Sequence, residues 1–412
     1  MSYENKILQM KKMLGKKTSE EQEKPKFVKP AAPSYKEAWT AAGLTPVHND
    51  FGMLFKREVR YPLTYRHGNY ELGELYNAIE AWEAADMNHP YRLTFDDTLV
   101  FFDTETTGLK GTGTHIFLLG LLEERGDEFV LTQYVLADPE NEAALLFESK
   151  FWQRAITIVS YNGKSFDWPM LETRWTLNQN IIPKLRPQKQ IDLLHSSKRL
   201  WKNDLEKMKL VQVEEEKLGF KREGDIPGYL APIIYFDAVK SGNAEALMKV
   251  LLHNEWDLLS LITLYVHQTK LLFASEVESA VTYTNIGKWY GDLKQPIASE
   301  HVLTNVTENY REQEASLAYF YLAIQQKRNA NYESAKLSFE KALPGISPKQ
   351  KLQAYEQLAM LHEHQFQQFD RALFYTEKGL EIVRQSSLTT DQKQKQLVKW
   401  EKRYKRIENK RQ

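Results

Sequence analysis

Apolar residues are sparse at the start of the chain, dense and strand-like in its middle, and spaced at helical intervals toward its end. Up to about Tyr35, Lys, Glu and Pro dominate without a sustained apolar period, which predicts a mobile arm over residues 1–35. A strand-like stretch at Met53–Arg60 precedes helical spacing from Leu72 to Ala85. Thr98–Asp103 (TLVFFD) has the length and residue types of a buried strand. Ile116–Leu122 and Glu128–Tyr134 read as two more strands, separated by a turn at Arg125-Gly126-Asp127. Helical spacing at Glu142–Trp152, a strand at Ala155–Tyr161, and helices at Trp168–Leu177, Leu193–Lys202 and Asn243–Phe273 follow. Three adjacent strands, then alternation of helix and strand, predict an α/β domain over residues 36–275: a mixed sheet flanked by helices.

Residues 276–412 read as helix throughout, giving an all-α second domain. Two stretches there resemble each other. Leu322-Ala323, Asn331-Tyr332, Ala335 and Ala342-Leu343 recur as Leu358-Ala359, Phe369-Asp370, Ala372 and Gly379-Leu380, an offset of 36 to 38 residues. This is close to the roughly 34-residue period of tetratricopeptide repeats, whose small residues let paired helices approach. The helix before Gly291 and the terminal helix after Thr390 are expected to cover the two ends of the stack.

Lys+Arg and Asp+Glu both number 55, for a formal net charge of zero. Overall charge therefore cannot hold this protein on nucleic acid, although a local basic groove remains compatible with the balance. The chain has no cysteine, which removes disulfides, thiolate metal sites and cysteine nucleophiles. The N-terminus lacks the apolar core of a secretory signal. The most apolar later run, Leu258–Phe273, is interrupted by Ser260, Thr263, His267, Gln268, Thr269 and Lys270, too short and polar a stretch to span a bilayer. A cytoplasmic protein without a membrane segment is expected.

Candidate chemistry lies in three short motifs. In Phe102-Asp103-Thr104-Glu105-Thr106-Thr107-Gly108, residues two apart on a strand share a face, so Asp103 and Glu105 present two carboxylates together. Hard divalent cations such as Mg²⁺ take such oxygen ligands. In Asn162-Gly163-Lys164-Ser165-Phe166-Asp167 a strand ends, the glycine permits a sharp turn, and a helix begins near Asp167. In His253-Asn254-Glu255-Trp256-Asp257, His253 and Asp257 share a helix face, whereas Glu255 points to nearly the opposite side and is excluded as a co-ligand. Each motif alone has a bland explanation: a solvated strand end, a helix cap at Ser165 or Asp167, a structural histidine. Together they supply an Asp-Glu-Asp-Asp set in chain order.

That arrangement resembles the DEDD exonucleases of the ribonuclease H-like superfamily. FDTETTGL fits their first motif, NGKSFD the second and HNEWD the third, over about Asp97–Thr269. Three residues separate His253 from Asp257, where the histidine subclass has four; this is the spacing of the tyrosine subclass. TGLKGTGTHIFLLG, IDLLHSSKRLW, LGFKREGDIPG and HNEWDLLSL further resemble the YprB-like branch, which carries tetratricopeptide-like helices behind the nuclease fold. The resemblance implies 3′-to-5′ hydrolysis of nucleic acid, DNA favoured over RNA, in repair, with a helicase partner engaged by the helical repeats. It also implies contacts from Asn162 and Phe166 to the terminal nucleotide, with core packing the favoured alternative for Phe166.

Phosphodiester hydrolysis needs an activated water and stabilisation of charge on the attacked phosphate and the leaving oxygen. Two divalent ions, Mg²⁺ or Mn²⁺, about 3.5–4 Å apart meet that need. Asp103, at the strand end, is the expected bridging ligand, with Glu105, Asp167 and Asp257 completing the shells and His253 accepting the proton of the attacking water. Asp192 reads as a helix cap. Arg222 and Asp225 either face the substrate or pin their loop, and stand outside the catalytic set. A non-catalytic interaction scaffold and an RNA exonuclease are the competing functions.

Overall fold

The computed structural model describes residues 27–411 except 86, 109, 110, 112, 203, 275 and 276. Most of the expected N-terminal arm and the expected joint at 275–276 therefore lie outside the described residues. The last part of that arm is in contact with the sheet domain: the Phe27 ring meets Phe51 edge-on at 5.9 Å, and the Tyr35 hydroxyl donates to the carbonyl of Ala137.

A short helix, α1 (Lys36–Ala41), leads into β1 (Thr45–Asn49) and β2 (Gly52–Pro62), which form a hairpin. β3 (Arg66–His67) and β4 (Tyr70–Glu71) make a small separate ladder before α2 (Glu74–Ala85). Then come β5 (Leu99–Thr106), β6 (Ile116–Glu124), β7 (Glu128–Leu136), α3 (Glu142–Glu148), β8 (Thr157–Ser160), α4 (Asp167–Asn178), β9 (Lys189–Asp192) and α5 (Leu193–Trp201). The seven-stranded sheet has the order β1-β2-β7-β6-β5-β8-β9. It is antiparallel as far as β5 and parallel from β5 through β8 to β9. After α6 (Ala231–Ser241) the chain enters its longest helix, α7 (Glu245–Leu272).

Strand alternation divides two cores between the faces of this sheet. Phe101, Leu122, Leu131, Val159 and Ile191 pack with Leu258, Ile262 and Tyr265 of α7. Val100, Phe102, Leu119 and Leu121 belong to the other core, with Ala144 and Leu145 of α3 and Trp168 and Leu171 of α4. Asp103 and Glu105, in phase with Phe101, thus belong to the α7 face. Close approach of α7 depends on Gly120, the β6 residue opposite Asp103. A Cβ there would stand 2.3 Å from Asn254 Oδ1 and 2.7 Å from Leu258 Cδ1, so any side chain would push α7 off the strand that carries the carboxylates.

Seven further helices follow among the described residues: α8 (Ala280–Asp292), α9 (Pro296–Asn309), α10 (Ser316–Arg328), α11 (Tyr332–Ala342), α12 (Pro348–His364), α13 (Phe369–Gln385) and α14 (Thr390–Arg411). The N-terminal half is therefore a mixed sheet flanked by helices, and the C-terminal region is all helix. The core on the α7 face runs on into α8 and α9 through Ile286, Trp289, Tyr290, Leu303 and Val306. Asn285 donates to the Leu200 carbonyl at 2.9 Å and Tyr290 to that of Leu272 at 2.9 Å. Leu322, Ala323, Ala335, Ala342, Leu358, Ala359 and Ala372, picked out by the internal similarity, are all buried. At Gly379 a Cβ would fall 2.3 Å from the Trp400 ring, so the missing side chain makes room for α14 against α13.

The structure shortens one expected helix. The segment read as Glu142–Trp152 stops at Glu148, because Lys150 takes a left-handed conformation (φ 61°). The basic stretch from Lys393 to Gln412, nine Lys or Arg against two Glu, is largely committed within the fold. Lys399 and Arg403 pair with Glu356, Arg406 and Lys410 with Glu363, and Arg411 with Asp370.

Candidate metal centre

Three elements deliver the acidic residues: the end of β5, the start of α4 and the second turn-pair of α7. β5 extends past Asp103 to Thr106, and its register with β6 shifts between Glu105 and Thr106. A bulge of this kind bends the strand and re-aims the side chains beside it. Asp103 Oδ2 accepts a hydrogen bond from Asn254 Nδ2 at 2.8 Å, and Asn254 Oδ1 accepts one from Gln133 Nε2 at 2.8 Å. The first carboxylate is thereby tied to α7 through an amide whose own orientation is fixed.

At the second motif, Asn162 adopts the left-handed region (φ 65°), which Asn tolerates better than most residues. Its backbone N–H donates to Asp192 Oδ1 at 2.8 Å, and that of Lys164 to Asp192 Oδ2 at 3.2 Å. Asp192 also caps α5 by accepting from Leu194 N at 3.0 Å. The turn thus places Asp167 at the head of α4, where Thr104 Oγ1 donates to its Oδ1. Phe166 is exposed, which removes the core-packing alternative for it. Asn162 and Phe166 both precede Asp167 in the chain; the side-chain contacts that fix this turn run through Asp192.

On α7, His253 Nε2 lies 3.4 Å from Asp257 Oδ2 and 4.0 Å from Glu105 Oε1. Glu105, His253 and Asp257 each offer a ligand atom within 4.8 Å of the others. Glu255 turns away and pairs with Arg57, in keeping with its exclusion.

The Lys221–Gly228 loop, left outside the expected catalytic set, closes over this cluster. Asp225 Oδ1 lies 2.8 Å from His253 Nδ1. An ionised carboxylate can only accept, so this contact calls for a proton on Nδ1, while Arg222 Nη1 stands 3.2 Å from the same nitrogen and Nε2 faces Glu105 and Asp257. Arg222 donates to Asp257 Oδ1 at 2.6 Å and to both oxygens of the buried Glu214 at 2.6 and 2.7 Å. The signal that could have found these residues was the charged run Lys-Arg-Glu-Gly-Asp between glycines. Nothing in the local sequence pointed to Asn254 or Glu214.

The carboxylates repel one another strongly. Burial, then the charges of Asp257, Asp167 and Glu105, push the Asp103 carboxyl well above its ordinary range. Burial and Asp257, Asp167 and Asp225 raise Glu105 to about 8. Burial lifts Asp167 to about 6 against the opposing Thr104 hydrogen bond. Oxygen donors and one imidazole, in surroundings whose burial and like charge raise Asp103, Glu105 and Asp167, suit a hard divalent cation.

This electrostatic stress has a definite sign. In the unfolded chain Glu105 ionises near its ordinary pKa, about 4.3, whereas in the metal-free fold it keeps its proton to about 8. Folding therefore takes up protons between those values, and metal-free stability falls as pH rises across that window. A bound cation displaces the protons and removes the penalty. The rise in melting temperature caused by Mg²⁺ or Mn²⁺ is expected to be larger at pH 8 than at pH 6, measured by thermal denaturation with and without EDTA. An equal rise at both pH values would contradict this account of the cluster.

Among the described residues no helix is long and apolar enough to cross a membrane. Residues 100–269, which span β5 through α7, match the RNase_H superfamily. The chain is also 37% identical over 351 residues to the uncharacterized protein YprB of Bacillus subtilis (strain 168), covering 84% of each sequence. The sheet order, the carboxylates gathered at the end of β5 and this extended similarity lead to one conclusion: the chain belongs to the RNase H superfamily, within the family of YprB.

Proposed function

We propose that this protein is a metal-dependent 3′–5′ exonuclease of the DEDD class, acting on DNA in a cytoplasmic repair pathway. The observation that carries the reading is the gathering of ligand atoms from Glu105, His253 and Asp257 within 4.8 Å of one another, with Asp103 two residues before Glu105 on the same strand face and Asp167 near enough for its charge to act on both. Membership of the RNase H superfamily supports a nuclease acting on nucleic acid. The direction of digestion, the preference for DNA and the repair role rest on the motif resemblance.

Asp103, Glu105, Asp167 and Asp257 would hold two divalent ions, Mg²⁺ or Mn²⁺. When bound, such ions neutralise charge on the phosphate and make an attacking water more acidic. The chain's own groups do the rest. His253 Nε2 accepts the proton of the attacking water, and Asp225 keeps the imidazole in the tautomer that allows it. Asn254 holds Asp103, and Arg222 holds the Asp257 oxygen other than the one beside Nε2. The departure in spacing between His253 and Asp257 is compatible with this role, because the orientation of the ring is set by Asp225 from another element.

The paired helices α10/α11 and α12/α13, with small buried residues at equivalent positions, support the reading of the C-terminal region as tetratricopeptide-like. We assign it to partner binding, with a helicase as the partner implied by the resemblance. Five of the nine basic side chains of α14 are ion-paired to the neighbouring helices, which favours a protein partner over phosphate contacts for this region. The substrate class is tested by incubating the full chain with end-labelled DNA and RNA, single- and double-stranded, in parallel. Preferential shortening of DNA supports the proposal, and preferential shortening of RNA moves the function to the competing RNA exonuclease.

A further inference from the structure

α6 is seated by one face only. Ala231, Tyr235 and Ala238 are buried, and the Tyr235 ring stacks on Phe117 of β6 at 4.5 Å. Its other face, with the 3-10 turn Gly228–Leu230 that leads into it, carries large apolar side chains that the fold leaves in solvent: Tyr229 in the turn is 78% exposed, Ile233 63% and Phe236 48%. Tyr229, Ile233, Phe236 and the exposed Lys240 follow at intervals of four, three and four residues, so they form one stripe along the helix, roughly 16 Å long.

The stripe begins at the candidate metal centre. A Cβ on Gly228, the residue before Tyr229, would stand 3.7 Å from His253 Nε2. In the second motif, Phe166 immediately precedes Asp167 and is 51% exposed. Exposed aromatic rings thus occur in two segments that adjoin the site residues, and one row leads on to a cation.

We propose that the Tyr229–Ile233–Phe236 face of α6, ending at Lys240, is the platform on which the bases of a single-stranded polynucleotide stack as it leaves the metal centre. The inference rests on the nuclease reading and extends it to strand preference. Every base has a π-face, so a row of exposed rings binds single strands without regard to sequence. In a duplex those faces are already stacked on neighbouring bases and are not available. Lys240 supplies a phosphate contact at the far end, where the acidic cluster no longer repels the backbone. A protein segment would also cover an apolar stripe. Continuity with the site through Gly228 favours the strand that must enter that site.

The test uses the full chain with Asp103→Asn in every arm, so that bound strands stay intact. Fluorescence anisotropy is read on a labelled oligothymidylate and on a blunt duplex. Tyr229→Ala and Phe236→Ala are each expected to weaken single-strand binding roughly 5- to 150-fold, with a much smaller change on duplex, while Tyr229→Phe retains binding. Circular dichroism confirms the fold of each variant. Unchanged single-strand affinity, or equal losses on single strand and duplex, would overturn the platform. Hydrolysis of a chromogenic thymidine 5′-phosphate ester by the wild-type chain tests the underlying reading separately. A wild-type protein that leaves the ester intact removes the nuclease reading, whereas cleavage combined with unchanged strand binding in the variants removes the platform alone.

Discussion

Replacing Asp103 by Asn is expected to reduce nucleic acid cleavage at least about 10³-fold while the protein stays folded. The amide matches the carboxylate in shape but contributes no anionic ligand, and loss of a directly coordinating group costs more than the roughly 10- to 100-fold typical of an outer-shell partner. Stability should not fall. Asp103 is raised by burial and by three neighbouring carboxylates, so a neutral side chain relieves repulsion in the metal-free protein. The measurement is initial-rate cleavage together with thermal denaturation in EDTA. A variant that cleaves within a few-fold of wild type would refute the assignment of Asp103 as the central ligand. A variant that melts well below wild type would show that the side chain serves the fold instead.

His253→Ala should lower turnover by about 10²- to 10⁴-fold, the range for losing a positioned general base, with metal affinity largely kept. The geometry makes this a demanding test, since Nε2 also lies 3.4 Å from Asp257 Oδ2, close enough for the ring to join the ligand set. Metal titrations of the variant decide between base and ligand: parallel loss of metal affinity and activity contradicts the base role. Asp225→Asn provides the companion result. An amide can offer its NH₂ to Nδ1 and invert the tautomer, so turnover should fall by about 10-fold or more, and Asp225→Glu should restore part of it. If Asp225→Asn has the activity of wild type, the orientation of His253 is set by something other than this contact.

The sheet and the carboxylates were legible in the sequence for different reasons. β5, β6 and β7 are dominated by apolar, β-favouring residues over strand-length stretches, so their identity as buried strands needed no tertiary information. β9 showed in the sequence only as a strand end before the Asp192 cap, because Lys189–Asp192 carries one apolar residue in four and is held by pairing with β8. α6 was missed because its two apolar faces, one buried and one in solvent, obscure the helical period. Asp103, Glu105, Asp167 and Asp257 stood out because metal chemistry demands that residue type at an element end or on one helix face. Asp225 and Arg222 meet His253 and Asp257 only through the path of a loop 28 to 35 residues away in the chain. Local pattern carries no trace of that distance. Asn254 was hidden for a similar reason: its function depends on how closely α7 approaches β6, and that is set by Gly120.

The central claim is that the acidic cluster at the end of β5 hydrolyses phosphodiester bonds with divalent metal, from the 3′ end of a strand. The most direct test is digestion of a 5′-labelled single-stranded DNA by the full chain in Mg²⁺ or Mn²⁺, resolved at nucleotide resolution over time. The account predicts a ladder shortening progressively from the 3′ end, absent in EDTA and absent with Asp103→Asn. An intact strand in every metal, or shortening that persists in the Asp103→Asn protein, would contradict it.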